Sequence, residues 1–203
     1  MLKSSRRLIS LMGAAASLGA PALAQAQASD PAALRVGAFY STLLDTMKAG
    51  KSAGLTGRVQ RLTPAVQQSF NLPIMAQFAT GDAWTKMTAA ERASVTAAFT
   101  RYTVSSYAHN FDSFTGQKFV VDPAVQTRGP DKLVKTQIVS AGDSPVNLNY
   151  RMRQYGGAWK VIDIYYNSIS QLTTQRSDFS STLKTSGASA LVTKLDSLTM
   201  KLK

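Results

Sequence analysis

The chain contains no cysteine, a single histidine and a single glutamate, and each scarcity removes a class of chemistry. Without cysteine there is no disulfide, no thiolate nucleophile and no thiolate metal site, so an exported chain of this composition must hold itself together by packing. Transition-metal sites draw on His, Cys or acidic residues at ligand spacing, and no such cluster occurs. A hydrolase triad needs a base, usually histidine. The only one, His109, sits between two apolar stripes of a predicted helix beside Ala108 and Asn110. A glycine-rich phosphate loop is also missing, since GDAW at 81–84 and YGGAW at 155–159 read as a helix stop and a hairpin turn. No cofactor or metal is therefore expected, and no stretch beyond the N-terminus is apolar enough to span a membrane.

Acidic residues are few as well: 11 Asp and Glu stand against 23 Lys and Arg, a formal net charge of +12. Three of the basic residues, Lys3, Arg6 and Arg7, open the chain as the n-region of a secretory signal peptide. Leu8 to Ala20 follows as an apolar run shorter than the roughly 20 residues a bilayer requires. Pro21-Ala22-Leu23-Ala24 then ends in a small-x-small cleavage pattern, with Ala26 and Ala28 as further fits. Residues 1–24 thus read as a signal peptide and 25–203 as one exported domain, periplasmic in location, of 179 residues and net charge +9. The basic residues are spread out rather than interleaved with aromatics, which argues against nucleic acid. An anionic membrane surface or an acidic protein face fits the charge better, each base near such a surface contributing about 1 kcal/mol.

Helical periodicity dominates the first half. Asp30 and Pro31 form a cap and first turn, with Val36, Phe39 or Tyr40, Leu43 and Met47 at helical spacing up to Gly50–Gly54. A second helix is predicted from Gly57 to Phe70, with Pro64 starting a helix or breaking the segment in two. Asn71 caps a short apolar segment that Gly81 ends. Thr88-Ala89-Ala90-Glu91 is a capping box for a long helix, whose aromatic face carries Phe99, Tyr102, Tyr107 and Phe111.

From Gly116 the period changes to two. Phe119–Val121, Leu133–Val139, Val146–Met152 and Ala158–Tyr166 are strand candidates separated by Pro- and Gly-containing turns. Helices at about Ser168–Lys184 and Ser186–Met200, separated at Gly187, close the chain. The order gives α+β: a curved antiparallel sheet of four to five strands with helices on its concave face. Asp163, inside WKVIDIYY, is the one carboxylate to weigh. A two-residue loop at Gly156-Gly157 places it on the apolar face, where burial raises a carboxyl pKa and suits a general base. A register longer by one residue turns it away, buries Ile162 and Ile164 and leaves the carboxylate to pair with a surface base or to cap a loop; that register is favoured because it buries the isoleucines.

The segments LPIMAQFATGDAWTKMTAAERASVTAAFTRYTVSSYAHNFDSFTG, VNLNYRMRQYGGAWKVIDIYYNSIS and RSDFSSTLKTSGASALVTKL, in that order, resemble the MlaC or toluene-tolerance family of periplasmic lipid carriers. The resemblance is nearest to its hopanoid-associated HpnM branch. NSIS stands where the main branch carries a glycine-containing turn. The resemblance implies an NTF2-like sheet enclosing an apolar cavity, phospholipid or hopanoid as cargo, transport between inner and outer membranes, and membrane-bound transporter components as partners.

On that reading Met75, Phe78 and Trp84 from the short segment and Phe99, Tyr102, Tyr107 and Phe111 from the long helix are expected to line the cavity. Tyr150, Met152, Ile164, Tyr166 and Ile169 are expected to join them from the strands, with Arg151 and Arg153 as headgroup or partner contacts. Two alternatives remain: a small-molecule enzyme with Asp163 as general base, assisted by Tyr150 or His109, and a filled-core adaptor for an acidic protein.

Overall fold

Asp30 opens the chain as predicted. Its carboxylate accepts from the Ala32 amide at 2.8 Å, capping helix α1 (Pro31–Ala49), and its other oxygen meets Lys132 Nζ at 2.5 Å. The computed structural model describes residues 30–202, so the predicted signal peptide and its cleavage bond lie outside the described residues. A 3₁₀ turn (Lys51–Ala53) leads to α2 (Gly54–Ser69). Pro64 neither starts nor breaks that helix but lies inside it. The carbonyl it deprives of a donor belongs to Gln60, which is exposed and open to water.

Asn71 Oδ1 accepts from the Ile74 amide at the head of α3 (Leu72–Thr80), which Gly81 ends at φ 58°. After the short α4 (Ala83–Lys86), the predicted capping box is present: Glu91 N donates to Thr88 Oγ1 at 3.2 Å, and Thr88 N to Glu91 Oε2 at 2.8 Å. It opens α5 (Ala89–Asn110). At the far end of α5 the buried Arg58 guanidinium donates to the Ala108 carbonyl at 2.7 Å, satisfying a terminal acceptor and complementing the helix dipole.

Seven strands follow: β1 (Lys118–Val121), β2 (Gln126–Arg128), β3 (Asp131–Val134), β4 (Thr136–Val139), β5 (Val146–Tyr155), β6 (Ala158–Tyr166) and β7 (Ile169–Ser170). They form an open, curved antiparallel sheet built on β5. β6 pairs along one side of β5; β3 and β4 share the other side end to end and are flanked by β2 and β1. The predicted strand Leu133–Val139 is thus two strands broken at the exposed Lys135. At the break side chains stand in for ladder bonds. Asn149 Oδ1 accepts from the Thr136 amide at 3.0 Å, and the Thr136 hydroxyl donates to the Leu148 carbonyl.

The β5–β6 hairpin contains both predicted registers. Tyr155 pairs with Ala158, so the turn is the two residues Gly156 and Gly157, at φ 54° and 80°. Met152 then pairs with Val161, a bulge leaves Ile162 without an opposite number, and beyond it Arg151 pairs with Asp163 and Tyr150 with Ile164. The bulge lets the consecutive residues Val161 and Ile162 both be buried.

The last helix, α6 (Gln171–Met200), is bent at Gly187, where φ 73° and ψ −169° interrupt it as predicted. It starts three residues later than expected. Asn167 and Ser168 take positive φ in a two-residue turn that pairs Ile169 with Tyr166, and Ser170 becomes the cap.

Helices α1 to α3 and α6 cover one face of the sheet, with α5 against α2, α3 and α6. Over the middle of the hairpin the space is filled by aromatics. The Phe39 ring lies 5.0 Å from Phe70 and 5.2 Å from Tyr107, and Tyr40 packs edge-on to Tyr150 at 5.7 Å. The Phe70–Asn71 link seals the β6 edge there, the Asn71 amide donating to the Val161 carbonyl at 2.9 Å.

Candidate functional site

At one end of the hairpin the covering is incomplete. A cavity of about 380 Å³ lies between α5, the start of α6 and the ends of β5 and β6 away from the Gly156-Gly157 turn. Its volume falls within the roughly 300–1,000 Å³ of ligand pockets. Its walls carry no charged side chain.

Seven of the twelve residues expected to line a cavity do so: Met75 from α3, Phe99, Tyr102 and Tyr107 from α5, Phe111 just beyond it, and Ile164 and Tyr166 from β6. The other five lie elsewhere. Tyr150 and Met152 are on the same sheet face but fully buried in the filled half of the core. Trp84 stacks under the Arg92 guanidinium, 5.7 Å from its ring centre. Phe78 and Ile169 are exposed, at 38% and 62%. For these five the helical or strand period indicates a face, whereas distance along the element decides whether that face meets core, cavity or water.

Sequence reasoning missed nine lining residues. Ile138, Val146 and Leu148 continue the apolar wall from β4 and β5, and Leu172 from α6. Thr103, Ser106 and Asn110, at helical spacing on α5, face Gln171 and Gln175, four residues apart on α6. The cavity thus has one uncharged polar edge in an apolar wall. The available signal was the i, i+3, i+7 spacing of small polar residues beside the aromatic stripe.

Among the described residues, Gln175 Oε1 is buried with no hydrogen-bond partner. An unsatisfied buried acceptor costs about 1–3 kcal/mol. Gln175→Met, similar in shape and without the amide, is expected to raise the stability of the empty protein by about 1 kcal/mol in urea unfolding. A loss of stability would show that the amide is already satisfied.

Beneath the cavity, Tyr40, Tyr107 and Tyr150 form a buried phenol cluster. The Tyr40 and Thr136 hydroxyls are hydrogen-bonded at 2.6 Å, and the Tyr150 hydroxyl is buried without a partner among the described residues. Burial pushes the Tyr40 pKa up to about 12 despite the Thr136 bond. Burial likewise raises Tyr107, and burial with the two neighbouring phenols holds Tyr150 well above its ordinary value. All three stay neutral at physiological pH and serve neither as bases nor as charged ligands. Folded-state values above the ordinary pKa of about 10 give stability that is complete below pH 10 and lost as pH rises through them. Tyrosinate absorbance should therefore show three of the seven tyrosines ionising only at about pH 12 or above, with unfolding. Ionisation of all seven near pH 10 would contradict the cluster.

Asp163 faces the opposite side of the sheet from Ile164. Its oxygens accept from the Ile164 amide at 2.7 Å, the Ser170 hydroxyl at 2.7 Å and the Leu172 amide at 3.3 Å. It ties the β6–β7 turn to the start of α6, the loop-capping role of the favoured register. His109 is exposed on α5, with Nδ1 2.9 Å from the Leu202 carbonyl, which makes that nitrogen the donor.

Arg151 and Arg153 also lie on the sheet face away from the cavity. Both bind one buried carboxylate: Arg151 Nε donates to Asp131 Oδ2 at 2.6 Å, and Arg153 Nε to Asp131 Oδ1 at 2.5 Å. Burial alone would raise the Asp131 pKa, but the bonds from Arg153 and Arg151 outweigh it and hold the carboxyl below its usual range. With Arg128, Lys132, Asn149, Tyr165 and Ser168, Arg151 and Asp131 border a polar groove of about 400 Å³.

Residues 38–197, from within α1 almost to the end of α6, match the family model described as MlaC protein. The chain belongs to the MlaC family. Among solved structures, this MlaC-family chain is similar to the phospholipid-binding protein from Ralstonia solanacearum in complex with a phospholipid. The two are 22% identical with a TM-score of 0.75 over 85% of this chain and 99% of the other, a likeness of fold.

Proposed function

We infer that this MlaC-family protein is a non-enzymatic lipid carrier, a single domain over residues 25–203, that shields a lipid tail in its cavity. The observation that carries this reading is the cavity itself: an uncharged, largely apolar void that packing of the surrounding helices leaves open. A tail crossing water exposes about 0.8 kcal/mol per methylene, so a dry enclosure is what makes movement between membranes feasible. Family membership and the phospholipid bound by the Ralstonia protein support a phospholipid as cargo. The hopanoid-associated branch is our placement within the family, and a hopanoid is the second cargo it admits. The basic chain and its signal-like N-terminus support a periplasmic protein, and membership of the MlaC family supports its exchanging lipid with membrane-bound transporter components of the inner and outer membranes. Engagement of Asp163 in three structural hydrogen bonds supports the non-enzymatic reading, since an enzymatic one would need this carboxylate as its base.

Transfer between two vesicle populations tests the function. The protein is expected to accelerate movement of a labelled phospholipid from donor to acceptor vesicles in proportion to its concentration. A rate equal to the spontaneous one, for phospholipid and for a hopanoid alike, would reject the carrier.

A further inference from the structure

The β6–β7 turn lies between the apolar cavity and the polar groove. On one face Tyr166 lines the apolar cavity while remaining 47% exposed, and Ile169, its cross-strand partner, is 62% exposed on that same face. On the other face Tyr165 and Ser168 border the groove that holds Arg128, Lys132 and Arg151. Asp131 is the single acidic residue in that groove, so it is net positive.

The tip is tied down by hydrogen bonds. Asn167 and Ser168 hold φ 45° and 71°, the left-handed region that a two-residue hairpin turn uses and that asparagine tolerates better than most residues. Asn167 is bonded to Asn147 in both directions: its amide donates to the Asn147 carbonyl at 2.9 Å, and its side-chain oxygen accepts from the Asn147 amide at 3.3 Å. Two large hydrophobic side chains are thus held outward, at the rim of the apolar cavity, by a turn bonded to the central strand.

We propose that this turn is the membrane-docking element of the protein: Tyr166 and Ile169 enter the headgroup layer of an anionic bilayer while Arg128 and Arg151 hold lipid phosphates beside them. An amphipathic aromatic at the interface, flanked by bases, is the arrangement that bilayer surfaces favour. The occupant is a membrane rather than a protein because the apolar pair adjoins the mouth through which a tail must enter. Docking there puts the cavity opening against the acyl layer. The inference rests on the carrier reading for its purpose, and its test reads a separate quantity.

Ile169 does not line the cavity and Arg128 is exposed, so both can be changed without altering the void. Flotation with vesicles of phosphatidylcholine containing one-third phosphatidylglycerol should show binding that weakens with salt. Ile169→Ser is expected to reduce it at least fivefold, and Arg128→Glu to reduce it on these vesicles but not on pure phosphatidylcholine. Ile169→Trp should retain binding and report a tryptophan quenched by lipids carrying a quencher near the headgroup. Native mass spectrometry of the same variants should show their lipid content unchanged. Lipid-loaded protein that floats with no vesicle, or an Ile169→Trp tryptophan that no membrane quencher reaches, would overturn the docking role and leave the carrier standing. Vesicle binding by a protein that never holds lipid would instead remove the carrier and keep the docking surface.

Discussion

Replacing Ser106 with Trp is expected to abolish retention of a lipid tail while leaving the protein folded. Ser106 sits midway along the α5 wall of the cavity, half-buried, with free space rather than packed atoms in front of it. An indole there occupies room that tail methylenes would use. Displacing three or four of them costs about 2.4–3.2 kcal/mol, roughly 50- to 200-fold in affinity. Because the void accepts the ring, no backbone shift is required and the unfolding midpoint should hold or rise slightly. The control is Ser105→Trp, at a neighbouring position buried in the α5 packing, where the ring has no cavity to enter and overpacking costs about 1–3 kcal/mol. Equilibrium binding of a fluorescent acyl probe, with urea melts alongside, checks both. Unchanged probe affinity in a folded Ser106→Trp protein would mean that the tail sits elsewhere.

The second large effect concerns stability and lies on the opposite face. Asp131→Ala is expected to destabilise the protein by about 2–3 kcal/mol, because it leaves two guanidiniums facing each other without their shared carboxylate. That loss is smaller than the roughly 3–5 kcal/mol typical of a fully buried pair. Arg151 and Arg153 keep 40% and 32% of their side-chain surface in contact with water, whereas Asp131 keeps 5%. Removing Arg153 as well, as Met, should recover part of the loss.

The same group gives a pH dependence. Its carboxyl is depressed in the folded state, so its contribution is fully present above the unfolded value of about 3.9 and is lost as pH falls through the lower folded value. The wild type should therefore lose stability below about pH 4 more steeply than Asp131→Ala does. Parallel acid unfolding curves for the two proteins would show that the cluster is a solvated surface pair of little consequence.

The elements most legible in the sequence were those whose signals are local. The Thr88–Glu91 capping box, the Asp30-Pro31 helix start and the Gly156-Gly157 turn each specify a structure within four residues, and each is present. The bulge at Ile162 has only an ambiguous local signal, because Val161-Ile162 is one of several consecutive apolar pairs in AWKVIDIYY and the two candidate registers each fit part of the strand. Pro64 misled because the propensity argument assumes that the orphaned carbonyl has no other partner, and at the exposed Gln60 water is available.

The cavity was legible as a face but not as a place. Tyr150 and Met152 share an alternation with Leu148 and Val146, yet Tyr150 lies under Phe70 and Tyr40 and Met152 is fully buried, while the last two border the void. Nothing in a period of two states where α1 to α3 stop covering the strand. That depends on helix lengths and on the Phe70–Asn71 link, which are long-range facts. The polar edge of the cavity escaped for the complementary reason. Thr103, Ser106 and Asn110 become a cavity wall only once α6 is placed across from them.

Native mass spectrometry of the protein purified from its own membranes tests the central claim most directly. The account predicts a folded species heavier than the polypeptide by the mass of a single lipid, released on denaturation and missing from Ser106→Trp prepared in parallel. A uniform lipid-free mass for both proteins, together with failure of added lipid to bind the wild type, would contradict it.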